Sequence, residues 1–263
     1  MKRFGDLLSA VVTALVFVLL LGPLLVVIVT AFSPSDFFQF PPTGFSLRWF
    51  ADFFSREQMR GAFTLSVELA LFASSVATVL GVMAALATVR SGRRASGFFQ
   101  ALYMAPLVFP TIILGLSLLM CYRYIGMPVL AGLAIAHVLV GMPYCFRATY
   151  ASLQSFDTSL DEAGQSLGAS PLTCFLLVTL PLIWPGVLSG WLFAFIVSFG
   201  ELNTALFLTG PGVTTLPIEI FGFLQFDGGQ LVIAAASALQ IAMILLIVLV
   251  MERAIGLARM VRS

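Results

Sequence analysis

The sequence predicts an all-α membrane protein with six transmembrane helices and both termini in the cytoplasm. Three observations carry this reading. Of 263 residues, 60% are hydrophobic and only 10% charged, with a mean hydropathy of +1.07; soluble domains run at about 45–50% apolar and ~25% charged. The charge is also distributed in blocks: residues 7–35, 69–89, 95–122, 124–146, 163–200 and 228–251 contain no Asp, Glu, Lys or Arg, and a spanning helix needs about 20 mainly apolar residues. Finally, threading six spans through these windows puts nine Lys and Arg (Lys2, Arg3, Arg90, Arg93, Arg94, Arg147, Arg253, Arg259, Arg262) on the side of the termini and four (Arg48, Arg56, Arg60, Arg123) on the other. Basic residues favour the cytoplasmic side.

The first span, 8–32, follows Lys2 and Arg3, so a cleaved signal peptide is the competing reading. The apolar run, about 25 residues long, exceeds the 7–15 residues of a signal core and lacks a small-residue cleavage site, which favours a retained helix. Residues 33–61 form an outer loop punctuated by Pro34, Pro41, Pro42 and Gly44. Within it, Leu47–Phe54 reads as a short interfacial helix whose Trp49, Phe50, Phe53 and Phe54 suit the headgroup level; a packing lid is the preferred role. Spans two to four are expected at 62–89, 98–122 and 129–150, a cytoplasmic loop at about 152–169, and spans five and six at 171–199 and 229–254. Without heptads, low-complexity tracts or internal repeats, residues 1–263 read as one transmembrane domain of a plasma membrane, in contact with lipid.

Simple counts remove other function classes. A net charge of +1 gives no field to recruit nucleic acid. Lys2 is the only lysine, so no P-loop lysine follows a phosphate cradle. His137 is the only histidine, which removes HExxH and two-His metal chemistry; with no obvious serine or acid partner for it in the sequence, an intramembrane protease is disfavoured. Cys121, Cys145 and Cys174 stand apart in apolar stretches with no CxxC, as small buried hydrophobes do. No cofactor or metal is expected in the chain.

The loop between spans four and five is the most informative segment. Leu153, Phe156, Leu160, Ala163 and Leu167 recur at spacings of 3, 4, 3 and 4, which predicts one apolar stripe on a short helix, with Asp157, Asp161 and Glu162 toward the polar side. Gly168 suits the C-terminal turn, and Ser170–Pro171 reads as an N-cap followed by proline at the first helical position. Such a stripe either enters a groove on a soluble partner or lies on lipid headgroups. The absence of Lys or Arg between Arg147 and Arg253 tips the choice toward a protein partner.

Glu162–Ala163–Gly164, then Gly168, then Val178–Thr179–Leu180–Pro181 resemble the EAA signature of binding-protein-dependent ABC importer permeases. Every interval fits; Gly164 stands where the family has its second alanine and Val178 where it has isoleucine. The resemblance covers about residues 60–255. It implies the six-helix, MetI-like architecture of a type I importer permease and a coupling helix that docks on an ATP-binding subunit. Carried over, Phe156, Leu160, Asp161, Glu162, Ala163, Gly164, Leu167 and Gly168 belong to the coupling element, Leu160 and Ala163 supplying packing and Glu162 polar contacts. Val178, Leu180 and Pro181 are structural, Pro181 removing a backbone hydrogen bond inside span five. The resemblance also implies two ATP-binding subunits that hold the ATP and Mg, a second permease (usually a different chain), and an extracytoplasmic solute-binding protein. The stretches Ser198–Phe–Gly–Glu201–Leu–Asn203, Phe207–Leu–Thr–Gly210–Pro–Gly212 and Thr215–Leu–Pro217 resemble the polyamine group, in particular the second permease of spermidine/putrescine importers; relatives that move ferric iron, opines or aminoethylphosphonate share similar strings.

Ionisable residues at membrane depth usually face a cavity or a partner. Glu68, Glu201 and Asn203 are the candidate pathway residues, and an acidic path would favour a cation; helix capping is the alternative. Glu219 and Asp227 read as caps or interface groups, His137 as a hydrogen-bonded packing residue, and Gln100 and Gln240 as cavity or interhelical groups. A proton- or ion-coupled carrier using Glu68, Glu201 or His137 is the competing function, opposed by the lack of an inverted repeat.

Overall fold

The computed structural model describes residues 2–91, 93–226 and 231–260, so Asp227 lies outside the described residues. Within them, α1 (Lys2–Ala31) is followed by the short α2 (Arg48–Ser55), then α3 (Glu57–Arg90), α4 (Arg93–Val108), α5 (Thr111–Ile125) and α6 (Val129–Gln154). Next come α7 (Ser159–Ser166) and one continuous span made of α8 (Pro171–Cys174), a π-helical turn (Phe175–Thr179) and α9 (Leu180–Phe199). The chain ends in α10 (Ala205–Leu208), α11 (Leu216–Phe226) and α12 (Val232–Met260). Five of these stretches are long and apolar enough to cross a membrane, and the α4–α5 pair supplies a sixth.

The third span departs from the single helix expected at 98–122. Its two halves are bent by 96°. Pro110 disfavours helical backbone at Phe109 and brings no N–H of its own. Its carbonyl instead starts α5, accepting from the N–H groups of Ile113 at 2.9 Å and Leu114 at 3.1 Å. The helix α11, before the sixth span, was not expected.

Two compact units emerge. One comprises the described residues up to Ala62 with those from Glu219 to Met243. Here Ala31 packs with Ala234 and Ala238 of α12 and with Phe50. The expected short interfacial helix is α2, whose Trp49 and Phe53 are buried. The loop before it is tied down by the Arg48–Asp36 ion pair, by Trp49 Nε1 donating to the Ser35 carbonyl at 3.2 Å, and by the stacked rings of Phe32 and Phe45. Along α1, side chains from Val11 to Leu25 are largely exposed, a surface that hydrocarbon can cover.

The other unit comprises Phe63–Ile218 with the residues from Ile244. Its centre is α6 against α9. A Cβ on Gly190 would lie 2.9 Å from Cys145 Cα, and one on Gly81 of α3 would lie 2.7 Å from Cys145 Cβ. Small residues at such crossings let backbones approach closely, as spanning helices require. Near the loop between spans four and five the core consists of Val82, Ala84, Ala85, Phe146, Leu153, Ile183 and Val187. Gln100 bonds between helices, its Nε2 donating to the Tyr150 hydroxyl at 3.0 Å.

Candidate functional site

The loop between spans four and five is built as a short helix on a rigid corner. The stripe expected to run along one helix from Leu153 to Leu167 is divided: α6 continues to Gln154, residues 155–158 turn, and α7 begins at Ser159. Leu153 is therefore buried in α6, and Phe156 is half-buried against the core around Phe146 and Ile183. The turn is set by Asp157, whose Oδ1 accepts from the Ser159 N–H at 3.0 Å. The hydroxyl and then the N–H of Ser159 hold the Asp157 carboxyl below the usual carboxylate range.

None of α7 is buried. Leu160 is 43% and Leu167 90% exposed, with Glu162 and Ala163 on the open side as well. Asp161, expected toward the polar side, is half-buried rather than open. Its carboxylate points at span five, where the Thr179 hydroxyl donates to Oδ1 at 2.8 Å. Gly164, one turn on, faces the same way: a Cβ there would lie 2.9 Å from Cys174 Sγ. That contact gives a physical reason for glycine at this position of the motif.

The helix closes as expected. Gly168 has φ +89°, its N–H donates to the Gln165 carbonyl at 2.9 Å, and the Ala169 N–H donates to Gly164 at 3.1 Å, the paired bonds of a Schellman ending. The next helix starts at once. Ser170 Oγ accepts from the Thr173 N–H at 3.2 Å, with Pro171 at its first turn. Pro181 does not snap the span. It follows a π turn, in which the Leu180 N–H donates to the Phe175 carbonyl, and which accommodates the missing donor. The pairing of Cys174 and Thr179 across a π turn was missed in the sequence, because a buried pair five residues apart fits no α-helical period.

The candidate pathway residues do not form one cluster. Glu68 lines a groove of about 490 Å³ with Leu65, Leu69, Phe72, Pro128 and Leu130. Glu201 is only 8% exposed, and its Oε1 accepts from the Thr204 N–H at 2.7 Å, capping α10. Asn203 beside it is exposed. His137 Nδ1 meets Ser198 Oγ at 2.8 Å, linking spans four and five. The Gly210–Val213 pair closes a tight turn through bonds of 3.1 and 2.9 Å, and the Leu216 N–H after it donates to Ser66 Oγ at 2.7 Å. Among the described residues, no three of His, Cys, Asp and Glu converge on one point.

Comparison with known proteins meets this geometry. Residues 77–257 match the family of binding-protein-dependent transport system inner membrane components. The putrescine transport system permease protein PotI of Escherichia coli K12 is 38% identical over 219 residues, covering 80% of this chain and 78% of that protein. The spermidine/putrescine transport system permease protein PotC of the same strain is 26% identical over 245 residues, covering 93% and 92%. Among solved structures, a bacterial ABC transporter that imports the acidic polysaccharide alginate has a chain that superimposes with a TM-score of 0.69 at 15% identity, over 100% of both chains. The chain belongs to the binding-protein-dependent transport system inner membrane components, the permeases of ABC importers.

Proposed function

We propose that this permease moves a small organic polycation of the putrescine and spermidine class, and that α7 is its docking helix for an ATP-binding subunit. Membership of the family brings ATP-binding subunits, a second permease and a solute-binding protein. In our reading the second permease is a different chain, the ATP-binding subunits number two, and the ATP and Mg lie in them. The termini and the 152–169 loop face the cytoplasm, as the basic residues favour.

The observation that carries the docking role is the outward apolar face of α7. A helix in water gains nothing by exposing Leu167, and covering that side chain contributes on the order of 2 kcal/mol. Leu160, Ala163 and Leu167 would enter a groove on the partner, with Glu162 at the rim. The polyamine reading is supported by the two permease relatives and by the acidic character of Glu68 and Glu201. Of these, Glu68 lies open to an apolar groove and suits an ammonium with a methylene chain; Glu201 acts through its cap and its charge.

The test is purification of the tagged chain with its partners. Glu162→Lys and Leu160→Arg are expected to lower recovery of the ATP-binding subunit at least about ten-fold while membrane insertion is unchanged; full recovery in both variants would refute the docking role. For the substrate, uptake of radiolabelled putrescine by vesicles holding the assembled transporter is expected to require ATP and the binding protein. No putrescine uptake where other solutes move would overturn the polyamine assignment.

A further inference from the structure

We infer that the Asp161–Thr179 hydrogen bond is the link through which the docking helix moves span five, with the π turn Phe175–Thr179 as the element that yields. The inference rests on the docking role of α7. Cys174 and Thr179 are each 2% exposed and five residues apart. In a regular α-helix they would diverge by about 140°; a turn bonded from i to i+5 carries both to one face. Both then meet α7. Cys174 Sγ lies 3.8 Å from the Asp161 carbonyl and under Gly164, while the Thr179 hydroxyl holds the Asp161 carboxylate.

The docking helix is thus fastened to the same span at three points. One attachment is the covalent corner at Leu167–Ser170, stiffened by the paired closing bonds and the Ser170 cap. The second is the Cys174 Sγ contact with the Asp161 carbonyl at the near end of the π turn, and the third is the 2.8 Å bond at its far end. Held at both ends of the π turn, α7 cannot rock without displacing Thr179. The turn also has freedom to respond. Pro181 withdraws a backbone donor just beyond it, and its other side opens on a groove of about 440 Å³ lined by Val82, Met83, Leu86, Phe175, Leu180 and Trp184. Asp161 is therefore a positioning residue that faces inward, distinct in role from its outward neighbour Glu162.

The experiment compares amide hydrogen exchange of residues 159–168 and 175–184 in the assembled transporter in lipid nanodiscs, without nucleotide and with ATP plus vanadate. In the parent and in Thr179→Ser, which keeps the hydroxyl, nucleotide is expected to alter exchange in both segments. In Thr179→Val, the ATP-binding subunit stays bound and the response at 159–168 persists, while that at 175–184 falls about ten-fold, the weight of one hydrogen bond to a charged group. If Thr179→Val fails to assemble, Asp161→Asn, which keeps an acceptor without the charge, is expected to show a loss of about three-fold. An undiminished response at 175–184 in the assembled variant, or an equal loss in Thr179→Ser, overturns the link. An ATP-binding subunit retained by Glu162→Lys and Leu160→Arg, with no nucleotide response at 159–168 in the parent, overturns the docking role and the link together.

Discussion

Placing alanine at position 164, where the family motif has it, sets helix propensity against packing. Alanine is favoured over glycine inside a helix by about 0.8–1 kcal/mol, so α7 alone would gain. The added Cβ, however, lies 2.9 Å from Cys174 Sγ, inside the ~3.5–4.0 Å at which non-bonded heavy atoms sit comfortably. Cys174 is 2% exposed and has little room to turn, so the overpacking cost of about 1–3 kcal/mol equals or exceeds the gain. Truncating the thiol reverses the balance. In a Cys174→Ala background, Gly164→Ala meets no sulfur and is expected to stabilise α7 by up to about 1 kcal/mol.

The double-mutant cycle should therefore show a coupling of about 1–3 kcal/mol between positions 164 and 174, read from the opening free energies of the amides in 162–168 by hydrogen exchange. Each single variant carries its own propensity or cavity term, and the cycle cancels these. Additivity within about 0.5 kcal/mol, the behaviour of independent sites, would refute the claim that Gly164 is selected by its neighbour across the corner.

Three further outcomes follow from the geometry. Gly81→Ala puts a Cβ 2.8 Å from the Phe146 backbone nitrogen and should cost about 2–3 kcal/mol, whereas Gly97→Ala meets nothing within 4 Å and should not destabilise; thermal exposure of Cys145 to a maleimide, in a Cys121→Ser background, checks both. Glu201→Ala leaves the Thr204 N–H without its acceptor, at about 1–3 kcal/mol, while Glu201→Gln keeps an oxygen there and should cost less than half as much in the same assay. The depressed pKa of Asp157 contributes stability that is present above the ordinary value near ~3.9 and lost as pH falls through the lowered one; the start of α7 is therefore expected to fray only in acid below about pH 4, with Asp157→Ala frayed at every pH, as measured by exchange of the Ser159–Glu162 amides corrected for intrinsic rates.

The spans were legible because hydrocarbon imposes one strong demand, long stretches without charge, and windows such as 163–200 report it directly. Their ends were less so: α3 starts at Glu57 and α6 runs to Gln154, because a helix can continue past the lipid as long as its backbone bonds are made. The break at Pro110 was not legible. Pro23, Pro106, Pro143 and Pro185 all sit inside helices, so proline by itself does not mark a broken span. At Pro110 the distinguishing feature is distant in sequence. The Thr204 hydroxyl donates to the Thr111 carbonyl at 3.3 Å, and Gly115 lets the Thr204 backbone approach to within 2.9–3.0 Å of its Cβ direction, so α10 holds α5 in the bent position.

The loop between spans four and five shows how a stripe can be read correctly while one residue on its other side, Asp161, finds a partner that the sequence does not reveal. Periodicity separates an apolar side from a polar one but does not say which groups of its own protein the polar side meets. Here the body offers a hydroxyl at Thr179 and a thiol at Cys174, so the side chains that fit it are Asp161 and Gly164. The apolar Leu160 and Leu167 are left facing outward. α7 lays Asp161 and Gly164 on its own protein and leaves Leu160 and Leu167 outward, the arrangement from which we propose both its docking role and the link through the π turn.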